Sequence, residues 1–147
     1  MESERSAVAR YCGAMSQENL EIVRRAWEAY ESGDLSGALA AMSPEMVTYV
    51  AAPIPTAGKY DGPEGFIQLT LDWAEGFDEL IVTGEEYFDT PGDAVAVRAR
   101  HRGSGVGSGV PVETDIWYVF TMRAGKAVRV DAFNERSEAL QAAGLSE

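Results

Sequence analysis

The second half of the chain alternates between apolar and polar positions with a period of two, as half-buried β-strands do. In residues 94–102, Val95, Val97, Ala99 and His101 occupy one face, and alanines and arginines occupy the other. Similar patterns, bounded by turn residues, continue on either side of this segment. The pattern predicts four consecutive antiparallel strands, at residues 80–88, 94–102, 110–122 and 126–134.

The first half of the chain shows helical spacing instead. In residues 17–32, Leu20, Val23, Trp27 and Tyr30 form one apolar stripe, which indicates a helix packed on a sheet. Cap residues and prolines predict further helices at 35–42, from 63 to 73 or 77, and at 137–143, a short strand at 46–50, and a loop at 51–62. Helices gathered on one face of an antiparallel sheet predict an α+β fold.

Length and charge restrict the class of protein. The 147 residues fit one domain, residues 15–147, preceded by an N-terminal extension, residues 1–14, that we expect to be a mobile arm or an extra helical turn. The net charge of −12 repels phosphate groups, which argues against nucleic acids and anionic membranes as partners. No apolar run is long enough to span a bilayer, and the N-terminus lacks a signal-peptide core, so we expect a cytoplasmic protein.

The chain has one cysteine, Cys12, and one histidine, His101. An intrachain disulfide is excluded, and a zinc site of cysteines and histidines lacks ligands, so we expect no metal. A Ser–His–Asp or Cys–His arrangement would depend on His101, which has arginines on both sides in the sequence. Nearby cations disfavour the imidazolium that such a base must form, so this chemistry is disfavoured.

Charged residues within the predicted strands are the most informative feature. Arg98, Arg100 and Arg102 share one face and lie opposite a strand that carries Glu113 and Asp115. Two interpretations stay open. The charges form a cross-strand ladder of ion pairs, or they line a pocket for an anionic or carbonyl ligand.

Four segments of the sequence resemble the nuclear transport factor 2-like superfamily, in particular its SnoaL-like, polyketide cyclase-like branch. They are SQENLEIVRRAWEAYESGDLSGALAAMSPEMV, GPEGF, RGSGVGSGVPVE and GKAVRVDAFNERSEALQAAGL, and the resemblance covers residues 15–145. It implies a cone, in which a curved antiparallel or mixed sheet wraps a long N-terminal helix and leaves a central pocket. It also implies a homodimer through the convex sheet face.

Two well-known chemistries of this superfamily lack their residues in this chain. The base, tyrosine and acid positions of ketosteroid isomerase-like members fall on Val50, Ala26 and Trp117. In the epoxide hydrolase-like pattern the arginine position matches Arg98, but its aspartate partner falls on Arg100. The resemblance therefore disfavours both reactions.

Polyketide cyclase-like members work without a cofactor through an inward aspartate, and this role leads to the predicted site. Asp115 is the first candidate for the acid–base group and Asp131 the second, while Arg98 and Arg100 would hold a developing oxyanion. The predicted catalytic residues are Asp115, Arg98 and Asp131, and the predicted pocket-lining residues are Tyr49, Trp27, Tyr30, Trp73, Arg100, Trp117 and Asn134.

The predicted function is a pocket protein for a hydrophobic small molecule with a carbonyl or acid group. As an enzyme it would be a cofactor-free cyclase, isomerase or dehydratase that works by proton transfer. The alternatives are a non-catalytic ligand-binding or structural dimer, in which Arg98 and Asp115 form a structural ion pair, and a partner-binding module. The facing of Arg98 and Asp115 distinguishes the first two, because side chains alternate between the faces of a sheet.

Overall fold

The computed structural model describes the backbone of residues 4–145 and the side chains of residues 17–145. Helices and strands alternate in the first half of this range, and a run of long strands fills the second half. The elements are α1 (Glu4–Glu31), α2 (Leu35–Leu39), β1 (Met42–Val50), β2 (Gly58–Asp61), α3 (Gly62–Ala74), β3 (Phe77–Asp89), β4 (Ala94–Gly105), β5 (Pro111–Arg123), β6 (Lys126–Phe133) and α4 (Arg136–Ala142). None of the helices in residues 4–145 is both long enough and apolar enough to cross a membrane.

The strands form one mixed sheet in the order β2-β1-β6-β5-β4-β3. β1 runs parallel to β6, and every other neighbouring pair is antiparallel. Irregular register in β3, near Phe77 and Gly84, and in β6, where Val128 is an extra residue opposite β5, bends these strands. The predicted α+β fold, with a curved mixed sheet around a long N-terminal helix, is confirmed.

Helix α1 lies against one face of this sheet, called here the inner face. Val23 and Trp27 from its apolar stripe are buried in the main core, and Gly33, with a φ of 85°, ends it as predicted. The helix begins at Glu4 and not at residue 17, because alanine, arginine and glutamate in residues 4–14 support helical backbone. The domain boundary predicted at residue 15 stays a prediction.

Several further boundaries differ from the predicted ones; α2 ends at Leu39 and β1 begins at Met42. Residues 51–62 were expected to form a loop, yet Gly58–Asp61 pairs with β1, because both prolines of this segment precede the new strand. β3 begins at Phe77 and β4 continues to Gly105, so the glycine-rich hairpin tip is shorter than expected. Glycines without side chains allow these strand ends to pair closely.

Both faces of the sheet bury apolar side chains. On the inner face, Val97, Ala99 and Val130 pack beneath α1 and α3. On the opposite, outer face, Ala96 and Trp117 pack with a smaller cluster that includes Ala139 of α4. The prediction that all helices gather on one face is therefore wrong for α4. This helix covers part of the outer face because its small alanines allow close contact with the sheet.

Gly103 is expected to be the least replaceable glycine of the hairpin formed by β4 and β5. A Cβ atom there would overlap the carbonyl oxygen of Glu79, which the bend in β3 brings close. We expect Gly103→Ala to lower the free energy of unfolding by about 1–3 kcal/mol, measured by urea denaturation. Gly92→Ala is the matched control, because nothing lies within 4 Å of its added Cβ. Equal losses in the two variants would contradict the close approach.

Candidate functional site

Two adjoining cavities lie between the inner face and the helices. The first, called here the polar cavity, has a volume of about 30 Å³. Its walls come from α3, from the inner face and from the loop after β1. They include Leu69, Trp73, His101, Ile116, Tyr118 and Ile54. The cavity therefore lies between the inner face and the helices that cover it.

A chain of hydrogen bonds supplies the polar groups of this cavity. The indole Nε1–H of Trp73 donates to Nδ1 of His101 over 3.0 Å. Because Nδ1 accepts, the neutral ring carries its proton on Nε2, which lies 3.4 Å from the Tyr118 hydroxyl oxygen and donates to it. The Tyr118 hydroxyl proton is then left to donate to a ligand. We call Trp73, His101 and Tyr118 the hydrogen-bond chain.

The positions of these side chains follow from three elements. Trp73 lies in the last turn of α3, and His101 and Tyr118 face inward from β4 and β5. Tyr118 is paired with Val97, four residues before His101, so its long side chain runs along the sheet to reach the imidazole. The Tyr118 ring packs on Trp27, with centroids 5.1 Å apart. This contact fixes its direction.

Burial keeps the titratable groups of the cavity neutral. Desolvation lowers the pKa of His101 to about 4, although the Asp115 carboxylate acts in the opposite direction. Desolvation also raises the pKa of Tyr118 and of Tyr30 above their ordinary value. At neutral pH the cavity thus offers neutral hydrogen-bond donors. His101 is poorly placed to act as a general base, because each of its ring nitrogens already has a partner.

The second cavity, called here the apolar cavity, lies further along α1. It has a volume of about 40 Å³, and its walls come from α1, α2, α3, β1, β5 and β6. They include Val23, Ala26, Trp27, Met42, Phe120 and Ala127. Tyr30 and Phe66 line both cavities and separate one from the other.

A surface depression, the vestibule, adjoins the polar cavity. It is larger, with a volume of about 280 Å³, and shares Thr56 and Trp73 with the polar cavity. The Tyr60 hydroxyl donates to the Thr56 carbonyl over 2.7 Å and holds the loop that forms one wall. The vestibule therefore lies next to the Trp73 end of the hydrogen-bond chain.

The charged residues of β4 and β5 lie on the outer face. Arg98 donates to Glu86 over 2.7 Å and to Asp115 over 3.2 Å. Arg100 donates to Asp115 over 3.1 Å and to Glu113 over 2.8 Å. Burial acts to raise the pKa of the Asp115 carboxyl, but the two guanidinium groups outweigh it and hold this pKa below its ordinary value. The arrangement is a ladder of ion pairs, the first of the two interpretations.

The sequence matches the family model of the SnoaL-like domain over residues 23–130. The chain belongs to the SnoaL-like family. No curated protein matches it significantly. The chain is similar in structure to an NTF2-like protein of unknown function from Burkholderia pseudomallei, at 22% identity and a TM-score of 0.68, over 86% of this chain and 97% of that one.

Two more solved structures share the fold. A candidate SnoaL-like polyketide cyclase from Jannaschia sp. is 24% identical to this chain, with a TM-score of 0.65. The match covers 89% of this chain and 94% of the Jannaschia protein. TerC, which was co-crystallised with polyporic acid, is 19% identical, with a TM-score of 0.69, over 86% and 97% of the two chains. These likenesses establish the fold that the sequence resemblance implied.

The structure divides the predicted site residues of the SnoaL-like chain between the two faces. Trp27, Tyr30 and Trp73 line the cavities. The outer face carries the predicted catalytic residues Asp115, Arg98 and Asp131 and the predicted lining residues Tyr49, Arg100 and Trp117. Asn134 follows β6 and lines neither cavity. Strand alternation is the reason, because the neighbours of these residues face inward.

Aromatic–cation contacts complete the outer face. The Arg129 guanidinium lies over the Tyr49 ring at 4.4 Å and donates to Asp131 over 2.9 and 3.0 Å. Trp117 lies beneath the Arg136 guanidinium at 5.2 Å. Asp131 and Trp117 thus have partners of their own on this face.

Sequence reasoning missed His101 and Tyr118 as cavity residues. The available signal was the apolar face itself. His101 alternates with Val97 and Ala99, whose small apolar side chains are typical of a buried face. Among the described residues, no group of three or more histidine, cysteine, aspartate or glutamate side chains is arranged to hold a metal ion.

Proposed function

We propose that this SnoaL-like protein binds a hydrophobic small molecule in the polar cavity and that Tyr118 donates a hydrogen bond to an oxygen of that molecule. The observation that carries the proposal is the hydrogen-bond chain. Nδ1 of His101 accepts from Trp73, which directs the proton on Nε2 toward Tyr118 and leaves the hydroxyl proton of Tyr118 for the ligand. A carbonyl oxygen is the matching acceptor.

The charges around the cavity favour a neutral ligand. Among the side chains that the structure describes, no arginine or lysine lines either cavity, and the guanidinium groups of Arg98 and Arg100 bond carboxylates on the opposite face. An anionic group in this site would lose its hydration without gaining a cation, which is costly. We therefore favour a ketone or aldehyde over the acid that the sequence also allowed.

The same groups favour binding over proton transfer. Acid–base catalysis needs a base with a free lone pair close to the ligand, and none of the carboxylates in residues 17–145 lines either cavity. Proton transfer by Asp115 stays a prediction. The fold alone does not decide between the two, although TerC, co-crystallised with polyporic acid, supports a small organic molecule as the kind of ligand.

The predicted homodimer and the cytoplasmic location also stay predictions. The outer face supports a dimer, because Tyr49 there is 36% exposed and Arg129 extends over it. Aromatic side chains and arginine are enriched at protein–protein interfaces.

2-Butanone and 2-methyl-1-butene form a matched pair of probes, because a CH₂ group replaces the carbonyl oxygen in the second. We expect the native protein to bind the ketone more tightly. Tyr118→Phe is expected to weaken 2-butanone binding about 3–10-fold, because one hydrogen bond is lost, and to leave 2-methyl-1-butene binding unchanged. Titrations followed by two-dimensional NMR measure both affinities.

The variant Asp115→Asn distinguishes a ligand site in the polar cavity from a ligand site on the outer face. If the cavity is the site, this variant keeps the ketone preference. A loss of the preference in Asp115→Asn, with Tyr118→Phe behaving like the native protein, would overturn the proposal and favour the site predicted from the sequence. Circular dichroism of both variants checks that each one is folded.

A further inference from the structure

Neither cavity alone has room for more than a very small organic ligand. The polar cavity has a volume of about 30 Å³ and the apolar cavity one of about 40 Å³, which is room for only a few waters each. The walls they share are two side chains from different helices, Tyr30 of α1 and Phe66 of α3. A larger ligand fits only if these two rings move apart and join the cavities.

Tyr30 is the more movable of the two walls. Its side chain is only half-buried, whereas Phe66 is 6% exposed and packs in the main core. A change of the Tyr30 rotamer would widen the gap between the two rings without a change in the backbone. A passage that opens between two rings is narrow, so its cross-section suits a single chain of methylene groups better than a fused ring system.

The two cavities also differ in chemistry. The polar cavity holds the hydrogen-bond chain, whose last donor is Tyr118. The apolar cavity has aliphatic and aromatic walls, with small side chains at Ala26 and Ala127 that leave room beside Trp27. Oxygen therefore belongs in the first cavity and hydrocarbon in the second.

We propose that the two cavities form one elongated site for an unbranched carbonyl compound. The carbonyl group accepts from Tyr118, the chain passes between Tyr30 and Phe66, and the alkyl tail fills the apolar cavity. This inference rests on the proposed function for its polar end. It adds the class of ligand, and it assigns the choice of chain length to the apolar cavity.

A series of straight-chain methyl ketones, from 2-butanone to 2-undecanone, tests the shape of the site. Once the chain reaches the apolar cavity, each further methylene group is expected to tighten binding about fourfold, until the cavity is full. Beyond that length we expect the affinity to level off. Dissociation constants from NMR titrations at a fixed pH give this profile.

The three tryptophans of the chain report on three separate places. Trp73 lines the polar cavity, Trp27 lines the apolar cavity, and Trp117 belongs to the cluster on the outer face. We expect 2-butanone to shift the indole N–H signal of Trp73 alone. Ketones with long chains are expected to shift the signals of Trp73 and Trp27 and to leave that of Trp117 in place.

Ala26→Leu and Ala132→Val form a matched pair of variants, because each narrows one cavity. Ala26→Leu is expected to remove the gain from chain length, by tenfold or more for 2-undecanone, and to leave 2-butanone binding unchanged. Ala132→Val is expected to weaken all the ketones alike. Ala41→Leu, which also narrows the apolar cavity, replaces Ala26→Leu if that variant does not fold.

The outcomes separate the two proposals. If 2-butanone leaves the Trp73 signal unchanged and Tyr118→Phe binds every ketone as the native protein does, the proposed function itself fails. If ketones bind through Tyr118, but long chains leave the Trp27 signal in place or keep their advantage in Ala26→Leu, only the elongated site is overturned.

Discussion

Acidification from pH 6.5 to pH 4 is expected to remove about 2–4 kcal/mol of stability through His101 alone. The imidazole is 2% exposed, and burial lowers its pKa from 6.5 to about 4. Between these two values the unfolded chain binds a proton that the native protein does not bind. The contribution is therefore complete above pH 6.5 and is lost as the pH falls to about 4. Protonation also places an N–H on Nδ1, which then cannot accept from Trp73.

His101→Asn is the control for this prediction, because it keeps a polar side chain but does not titrate. Urea denaturation of both proteins between pH 4 and 7 gives the difference in free energy of unfolding, in which the effects of the many surface carboxylates cancel. The pKa of Asp115 is held below its ordinary value of 3.8, so its own contribution is lost below this window. Parallel pH profiles of the two proteins would show that His101 is not buried in its neutral form.

Trp27→Ala is expected to lower the free energy of unfolding by about 3–5 kcal/mol. Trp27 is 5% exposed and joins α1 to the sheet, with ring centroids 5.8 Å from Tyr30, 5.1 Å from Tyr118 and 6.3 Å from Phe120. An alanine there leaves a void next to the apolar cavity, which the surrounding rings fill only in part. Urea denaturation at pH 7 measures the loss.

Trp27→Phe separates the ring from its polar atom. The buried indole Nε1 has no hydrogen-bond partner among the described residues, so its removal partly offsets the loss of ring area. We expect this variant to lose only about 1 kcal/mol. If Trp27→Ala lost as little, α1 would not be packed on the sheet through this residue.

Much of the fold was predictable from local patterns. Leu20, Val23, Trp27 and Tyr30 define a helix by their spacing, and Gly33 marks its end by a conformation that glycine adopts at low cost. The long strands were predictable for the same reason, because their alternation reflects burial of one face. The strand at Gly58–Asp61 was not, since its pairing with β1 depends on a distant segment and not on its own residues.

The predicted site was only partly located. Trp27, Tyr30 and Trp73, which were expected to line a ligand pocket, lie in the walls of the two cavities, and their contact with a ligand stays a prediction. Asp115 and Arg98 were expected there because a carboxylate and an arginine in register indicate chemistry, whereas the structure pairs them on the outer face. Alternation shows which residues share a face, but it does not show which face looks inward when both faces bury apolar side chains.

The sequence by itself determined the family, the order of the main elements and the sets of residues that share a face. It placed His101 with Val95, Val97 and Ala99, and it placed Arg98 with Arg100. Only the tertiary structure decided which of these sets faces the cavity. α1 and α3 cover the first set, and α4 covers part of the other face. That choice depends on how distant helices pack on the sheet, so no local pattern predicts it. The choice of face moves the candidate site from Asp115 to Tyr118.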